Sequence, residues 1–485
     1  MKVRLSKNSF VRIFHKGEIG YITSQLTLHD RTYDGIGADF LSMISREPQE
    51  EEDIIKELAT RYISCPTNVL REDFTKMMED LSQSCFVVRG ETDEELNERD
   101  ITFSYSLGNP KYLIKSPEPG LYDESILDTQ ELFLKYDSKT PRLASLQFEL
   151  TGKCNERCIH CYIPNGKKDI GITMPLNKVK DILDQFVEMG GLTVTLSGGE
   201  ALLHRDIIEI LKYCRKKDLK ITILSNLALL RDDLIPVLKE TNVSLVQVSI
   251  YSMDPEIHDF ITTIKGSFEK TKAAIEKLHK ADIPLQISCP VMKANRVGYD
   301  KVLEYAHTLS IKASTDFIMM ARADLDKDNL ANRLSIPETE LLLKDIIEND
   351  EDYAKIFTKI RPLTSINREE YLKTPLCGAG FNDICVAANG DIYPCAGWQA
   401  MVVGNVYKES LKDIWEKSEK LQKIRNVTFG DFPQCVDCEA RNYCAVCMVR
   451  NYNENEGDMF KVSKHFCDVA FLNKKIAEEK FKVKL

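Results

Sequence analysis

Thr151-Gly-Lys-Cys-Asn-Glu-Arg-Cys-Ile-His-Cys-Tyr162 places three cysteines, Cys154, Cys158 and Cys161, with spacers of three and two residues. The trio is one ligand short of a closed metal site. Structural zinc takes four protein ligands and electron-transfer iron-sulfur clusters normally take four thiolates, so the spacing suits a 4Fe-4S cluster whose remaining iron binds something exchangeable. The β-prone run Ser145 to Leu150 precedes it directly, which puts the trio in a loop at the C-terminal end of a strand. Further strands are predicted at Leu192 to Ser197, Leu219 to Ser225, Leu245 to Ile250, Leu285 to Val291 and Ala313 to Met320, with helical periodicity between them. Such alternation implies an α/β fold with a parallel sheet and helices outside it. The six units are fewer than the eight of a closed barrel, and catalytic residues belong at the C-terminal strand ends.

Outward from this centre, the 485-residue chain is 43% hydrophobic and 29% charged, ordinary for a folded protein of about three domains. Its net charge of −10 argues against nucleic acid as a partner. There is no run of about 18 apolar residues to cross a membrane, and the first residues lack the apolar core of a signal peptide, so a cytoplasmic location without membrane contact is expected. Fifteen cysteines in such a setting point to metal rather than disulfides. Eight of them fall between Cys377 and Cys467, whereas Cys65, Cys85, Cys214 and Cys289 are scattered among apolar residues and read as small core side chains.

The C-x3-C-x2-C spacing, with the aromatic His160 before the last cysteine, resembles the signature of the radical SAM enzymes. The resemblance implies a partial (β/α)6 TIM-like barrel over residues 143–325, with a cluster on Cys154, Cys158 and Cys161 that binds S-adenosyl-L-methionine and cleaves it to a 5'-deoxyadenosyl radical. It further implies that Gly198, Gly199 and Glu200, in Ser197-Gly-Gly-Glu200 at the second strand's end, grip the methionine amino group. Ser225 and Asn226 at the end of the third strand and Ser249 at the end of the fourth would contact the ribose and carboxylate, with His160 near the adenine. The stretches Tyr251 to Asp259 and Lys265 to Phe268 also resemble this subfamily and read as helix starts, capped by Asp254 and Ser267.

Cys377, Gly390-Asp-Ile-Tyr-Pro-Cys395, Cys435-x2-Cys438-x5-Cys444-x2-Cys447 and Cys467 resemble the SPASM domain, which holds two auxiliary 4Fe-4S clusters. By that resemblance Cys377, Cys395 and Cys447 ligate the first cluster, and Cys435, Cys438, Cys444 and Cys467 the second, for three clusters in all. Family members usually show three residues where this chain has two between Cys444 and Cys447. Cys385 reads equally as the fourth ligand of the first auxiliary cluster or as a core residue of Ile384-Cys-Val-Ala. Zinc on Cys435, Cys438, Cys444 and Cys447 is the competing reading.

Residues 1–90 read as two strands, three helices (Asp34 to Ser45, Glu51 to Tyr62, Asn68 to Ser82) and a closing strand, a winged-helix pattern. Its 14 acidic and 12 basic side chains give a net charge of −2, the wrong sign for gripping phosphates. Together with the domains that follow, the pattern resembles the leader-peptide recognition element of ribosomal peptide maturation systems, where a leader adds a strand to a sheet edge. The expected organisation is a recognition domain (1–90), a bridging segment (91–142), the barrel (143–325), a helical bridge (326–370), the SPASM domain (371–470) and a C-terminal helix or tail (471–485). The function this implies is a radical SAM peptide maturase that introduces a thioether or carbon-carbon crosslink into a precursor peptide and draws electrons from a flavodoxin or ferredoxin. Alternatives are a formylglycine-generating oxidase of the sulfatase-maturase type, a peptide epimerase, or, from another class, a winged-helix regulator with metal-sensing clusters. No catalytic acid or base stands out in the sequence.

Overall fold

A computed structural model describes residues 1–14, 17–27, 29–107, 141–349, 351–358 and 367–482. The chain opens with β1 (Lys2–Leu5), β2 (Ser9–Phe14), β3 (Ile19–Ser24), β4 (Asp30–Asp34), α1 (Gly35–Met43), β5 (Gln49–Glu50), α2 (Glu51–Arg61), α3 (Thr67–Gln83) and β6 (Val87–Gly90). They form two antiparallel sheets, β5-β1-β6 and β2-β3-β4, around a core of their own that includes Val3, Leu41, Leu58, Phe74 and Phe86. Three expected strands thus become six. In β1, Val3 and Leu5 point inward while Arg4 is neutralised by the buried Asp100 at 2.7 Å, which is how so charged a segment stays in a sheet.

The polar stretch after Gly90, expected to be a bridging segment, holds a helix, α4 (Asp93–Arg99), because Thr92 accepts from the Glu95 amide at its N-terminus. The Gly108-Asn-Pro and Ser116-Pro-Glu-Pro-Gly turn signals lie outside the described residues.

Six parallel strands follow: β7 (Ser145–Thr151), β8 (Thr193–Gly198), β9 (Lys220–Ser225), β10 (Leu245–Ser249), β11 (Leu285–Pro290) and β12 (Lys312–Asp316). Alternate residues such as Leu146, Phe148, Val194, Leu196, Ile221 and Ile223 are buried in the main core, while Gln147, Glu149 and Ser197 fall on the opposite face. This is a partial β/α barrel whose inner face is polar. The sixth strand stops at Asp316, short of the expected Met320, because the Asp316 carboxylate accepts from the Ile318 amide and turns the chain.

The C-terminal part extends the same sheet. β13 (Asp383–Val386) pairs parallel to β7, and β14 (Asp391–Tyr393) and β15 (Gly404–Asn405) add antiparallel beyond it, giving nine strands in the order β12-β11-β10-β9-β8-β7-β13-β14-β15. The helix or tail expected from residue 471 is the second half of a helix that begins earlier, at Lys464, and carries Cys467 in its first turn.

The N-terminal unit docks where the barrel strands begin. Arg12 donates to the Gly191, Lys217 and Asp218 carbonyls, just ahead of β8 and β9, and Arg46 pairs with the Asp218 carboxylate. After α4, the Tyr105 hydroxyl bridges the Ile283 carbonyl and the Leu285 amide at the start of β11. Among the described residues no helix is long and apolar enough to cross a membrane.

Candidate functional site

The trio occupies the loop leaving β7. Cys154 Sγ accepts from the Glu156 amide at 3.4 Å, and the loop is pinned from behind by the Arg157 and Ile159 amides, which donate to Thr262 and Ile261. Burial pushes the Cys154 thiol up to about 11, and burial with the charges of Glu156 and Cys161 raises Cys158 well above its ordinary value. Glu156, only 2% exposed, lies 3.4 Å from Cys158 Sγ and leaves its other oxygen unpartnered among the described residues. Lys168, 4% exposed on the following helix, directs its positive charge at Cys154, Cys158 and Glu156. Neither Glu156 nor Lys168 was singled out in the sequence. Their signal is a charged residue inside, or just after, a cysteine motif that must be buried.

His160 is held neutral, its pKa pushed down to about 4 by burial and by Lys168. Its ring meets Tyr251 edge-on at 5.0 Å, its Nε2 lies 3.5 Å from the Tyr251 hydroxyl, and its Nδ1 has no partner among the described residues. Ser249 hydrogen-bonds that tyrosine.

Gly198, Gly199 and Glu200 meet the trio's loop directly. The Gly199 amide donates to the Thr151 carbonyl and the Glu200 amide to the Lys153 carbonyl, both at 2.8 Å. A Cβ on Gly199 would stand 2.3 Å from the Lys153 carbonyl oxygen, and Gly198 adopts φ +135. The glycine pair therefore serves the contact between two strand ends. Glu200 Oε1 accepts from the Leu202 amide at 3.0 Å and from Ser225 Oγ at 2.7 Å, while Oε2 accepts from the Asn226 amide at 2.8 Å. Asn226 and Asn155 exchange side-chain hydrogen bonds, at 3.0 and 3.3 Å, tying the end of β9 to the trio. Glu200, Ser225 and Asn226 thus form one network, whereas Ser249 stands apart with Tyr251. Asp254 caps its helix as expected, but Ser267 is the first residue of the next helix and donates to Asp259, which also accepts from the Gly266 and Phe268 amides.

The C-terminal cysteines sort into two groups. Burial raises Cys377 and Cys395, and both feel the charges of Cys447 and Asp383. Burial likewise pushes Cys435 and Cys444 up to about 11; Cys435 feels Cys467 and Cys438, and Cys444 feels Cys467, Cys435 and Cys438. The charge of Cys447 is thus felt in the first group and that of Cys467 in the second. Among the described residues no three His, Cys, Asp or Glu side chains converge on a single metal ion. Cys214 and Cys289 are buried as expected, but Cys65 and Cys85 are half-exposed at the turns that end α2 and α3.

Between the trio and this domain runs a polar seam. Glu149 on β7 accepts from Gln399 Nε2 at 2.8 Å and from Cys385, and burial lifts its carboxyl to about 7. Lys167 Nζ donates to Gln399 Oε1 at 3.1 Å and to the Tyr393 hydroxyl at 3.3 Å. A cavity of about 250 Å³ opens here, walled by Glu149, Ile163, Lys167, Ile172 and Tyr393. Tyr162, half-buried directly after the trio, feels the charges of Glu149, Cys385, Cys161 and Cys395 together, so it stands between the two cysteine regions.

Thiols on a partly open loop, with a cation and an orphaned carboxylate oxygen beside them, are a donor set fit for an iron-sulfur cluster. Comparison with known proteins agrees. Residues 148–306 match the radical SAM superfamily and residues 377–439 match SPASM, an iron-sulfur cluster-binding domain. The AdoMet-dependent heme synthase of Methanosarcina barkeri is 28% identical over 65% of this chain and 93% of its own length. The antilisterial bacteriocin subtilosin biosynthesis protein AlbA of Bacillus subtilis is 26% identical over 64% of this chain and 68% of its own. The crystal structure of Streptococcus suis SuiB bound to precursor peptide SuiA covers 96% of this chain and 100% of that one, at a TM-score of 0.60 and 16% identity. A radical SAM core on the partial barrel, followed by an iron-sulfur domain on the extended sheet, makes this chain a radical SAM-type enzyme.

Proposed function

We propose that the enzyme modifies a ribosomally made precursor peptide, closing a thioether or carbon-carbon crosslink, and that its N-terminal unit is a winged-helix domain that holds the leader. The observation that carries this reading is the extent of the fold likeness. The heme synthase relative accounts for 65% of the chain, whereas the fold of SuiB, which binds a precursor peptide, accounts for 96%, and so takes in the N-terminal unit with the barrel and the cysteine-rich domain.

Bound at the trio's cluster and reductively cleaved, S-adenosylmethionine supplies a 5'-deoxyadenosyl radical able to take hydrogen from carbon. Cys154, Cys158 and Cys161 hold that cluster. Glu200 locks the ends of β8 and β9 against the trio through Ser225 and Asn226, which fixes where the cosubstrate lies. Gly198 and Gly199 bring the methionine-binding strand end close, and His160 and Ser249 line the nucleoside side through Tyr251. Lys168 offers a buried cation to a carboxylate or to the cluster's negative charge. The two C-terminal cysteine groups would hold two auxiliary clusters, three 4Fe-4S clusters in all, charged by an external flavodoxin or ferredoxin. The seam cavity at Glu149 and Lys167, between the two cysteine regions, is where a core residue would be presented.

The leader would lie along β6, whose outer edge borders a groove of about 410 Å³ lined by Glu79, Ser82, Gln83, Val88 and Arg99. Filling it with Ser82→Trp, or deleting residues 1–90, should leave uncoupled 5'-deoxyadenosine formation in place while reducing modification of a leader-bearing peptide at least tenfold. Modification is followed by mass spectrometry of leader-bearing and leaderless peptides. Equal turnover of both peptides by parent and variants would overturn the leader reading in favour of a leader-independent oxidase or epimerase.

A further inference from the structure

We propose that Asp383 is the fourth ligand of the auxiliary cluster held by Cys377, Cys395 and Cys447, an inference that rests on reading the C-terminal domain as a cluster-binding one. A 4Fe-4S cube offers four irons and those cysteines cover three. Cys385 pairs with Tyr393 at the end of the antiparallel ladder, so Asp383 and Cys395, each two residues on, leave that ladder at the same end. Asp383 pairs with Ser145 on its β7 side and is bridged to Ala379 on its β14 side, and the Gly380 amide donates to its carbonyl at 3.1 Å. The same Ala379 donates its amide to Cys377 Sγ at 3.4 Å, so the turn carrying Cys377 and the start of β13 are one unit. Asp383 therefore stands at the sheet end reached by both Cys377 and Cys395, and its charge is felt at both thiols.

The state of the carboxylate agrees with this placement. It is half-buried and makes no hydrogen bond or ion pair among the described residues, so its oxygens are not committed to another partner. Cys385, the competing ligand, is engaged elsewhere: fully buried, it donates to Glu149 and packs in a small cluster with Ala387 and Tyr393. An oxygen ligand on one iron of an otherwise thiolate-bound cube marks that iron as the exchangeable one, because the harder carboxylate holds iron less firmly than a thiolate does.

The test uses the full chain, reconstituted anaerobically, with iron analysis and electron paramagnetic resonance of the reduced and mildly oxidised protein as readouts. Asp383→Ala, with the near-isosteric Asp383→Asn to guard against misfolding, should lose about one iron per chain more than the parent on mild oxidation, giving a 3Fe-4S signal beyond the one that the trio's open-iron cluster gives in both. Asp383→Cys should restore a stable four-iron cluster with a shifted reduced spectrum. Cys385→Ala should match the parent. Asp383 variants matching the parent would overturn the proposal, and a Cys385→Ala chain that alone gained the further 3Fe-4S signal would give the ligand to Cys385. A Cys377→Ala chain that kept all the parent's iron would instead overturn the cluster reading of this domain, a failure recognisable apart from the first.

Discussion

Gly199 has no room for a side chain. The three atoms nearest an added Cβ, at 2.3, 2.6 and 2.7 Å, all belong to the backbone of Lys153 and Gly152, which cannot swing aside as a flexible side chain could. Gly199→Ala should cost at least about 1–3 kcal/mol of local packing and push the trio's loop off the end of β8. The expected result is loss of about four iron per chain and abolished 5'-deoxyadenosine formation, with the iron of the C-terminal domain retained; full iron content with normal cleavage would refute the packing argument. His258 carries a second residue-scale prediction. Its Nδ1 accepts from the Tyr251 amide, its Nε2 is buried without a partner among the described residues, and burial lowers its pKa from 6.5 to about 4. A base depressed in the folded state contributes nothing adverse above pH 6.5, and costs stability as the pH falls toward 4, because only the unfolded chain takes up the proton. By linkage that loss reaches about 3 kcal/mol. His258→Asn keeps an acceptor for Tyr251 and removes the proton site, so its melting temperature should fall less than the parent's between pH 7 and 5. Parallel curves would refute it. The trio, the glycine pair and most of the cysteine motifs were legible in the sequence because they are contiguous. Glu156, Lys168 and Glu149 were not, since a charged side chain announces burial only when its neighbours in space are known.

At the scale of elements, strand-helix alternation located all six parallel strands to within a few residues, because each carries its own apolar run. It did not reveal that β13 joins β7, a pairing such as Cys385 to Gln147 that spans more than two hundred residues of sequence and leaves no local trace. The charged β1 and β4 were missed for a related reason: Arg4 is compensated by Asp100 and Arg31 by Asp80, partners far along the chain. The join has a mechanical consequence. Without β13, the outer edge of β7 would present unpaired backbone donors and acceptors beside the trio, a template for association between chains. A chain ended at residue 335 should therefore aggregate, and light scattering coupled to size exclusion should show species larger than a monomer, with poor retention of the trio's cluster. A monodisperse truncated chain with a full first cluster would show that β13 is dispensable to the barrel.

Across the whole molecule, the N-terminal unit and the chemistry lie at opposite ends of the barrel. Arg12, Arg46 and Tyr105 fasten that unit to the segments that begin β8, β9 and β11, whereas the trio, Glu200 and Asn226 stand where β7, β8 and β9 end. A strand of six residues such as β8 spans about 20 Å at roughly 3.3 Å per residue. A peptide anchored on the N-terminal unit must cover at least that distance before any of its residues reaches the seam, and an extended chain also gains only about 3.3–3.6 Å per residue. The leader and the first modified residue of the substrate should therefore be separated by no fewer than about six residues, and by more if the path runs around the sheet. Deleting spacer residues one at a time should leave leader affinity unchanged, as measured by titration calorimetry, while modification read by mass spectrometry falls abruptly once the spacer is too short. A gradual decline would instead indicate that the N-terminal unit swings away from Asp218 and Gly191 during the reaction. Full modification of a substrate with only two or three spacer residues would place the leader on the barrel itself.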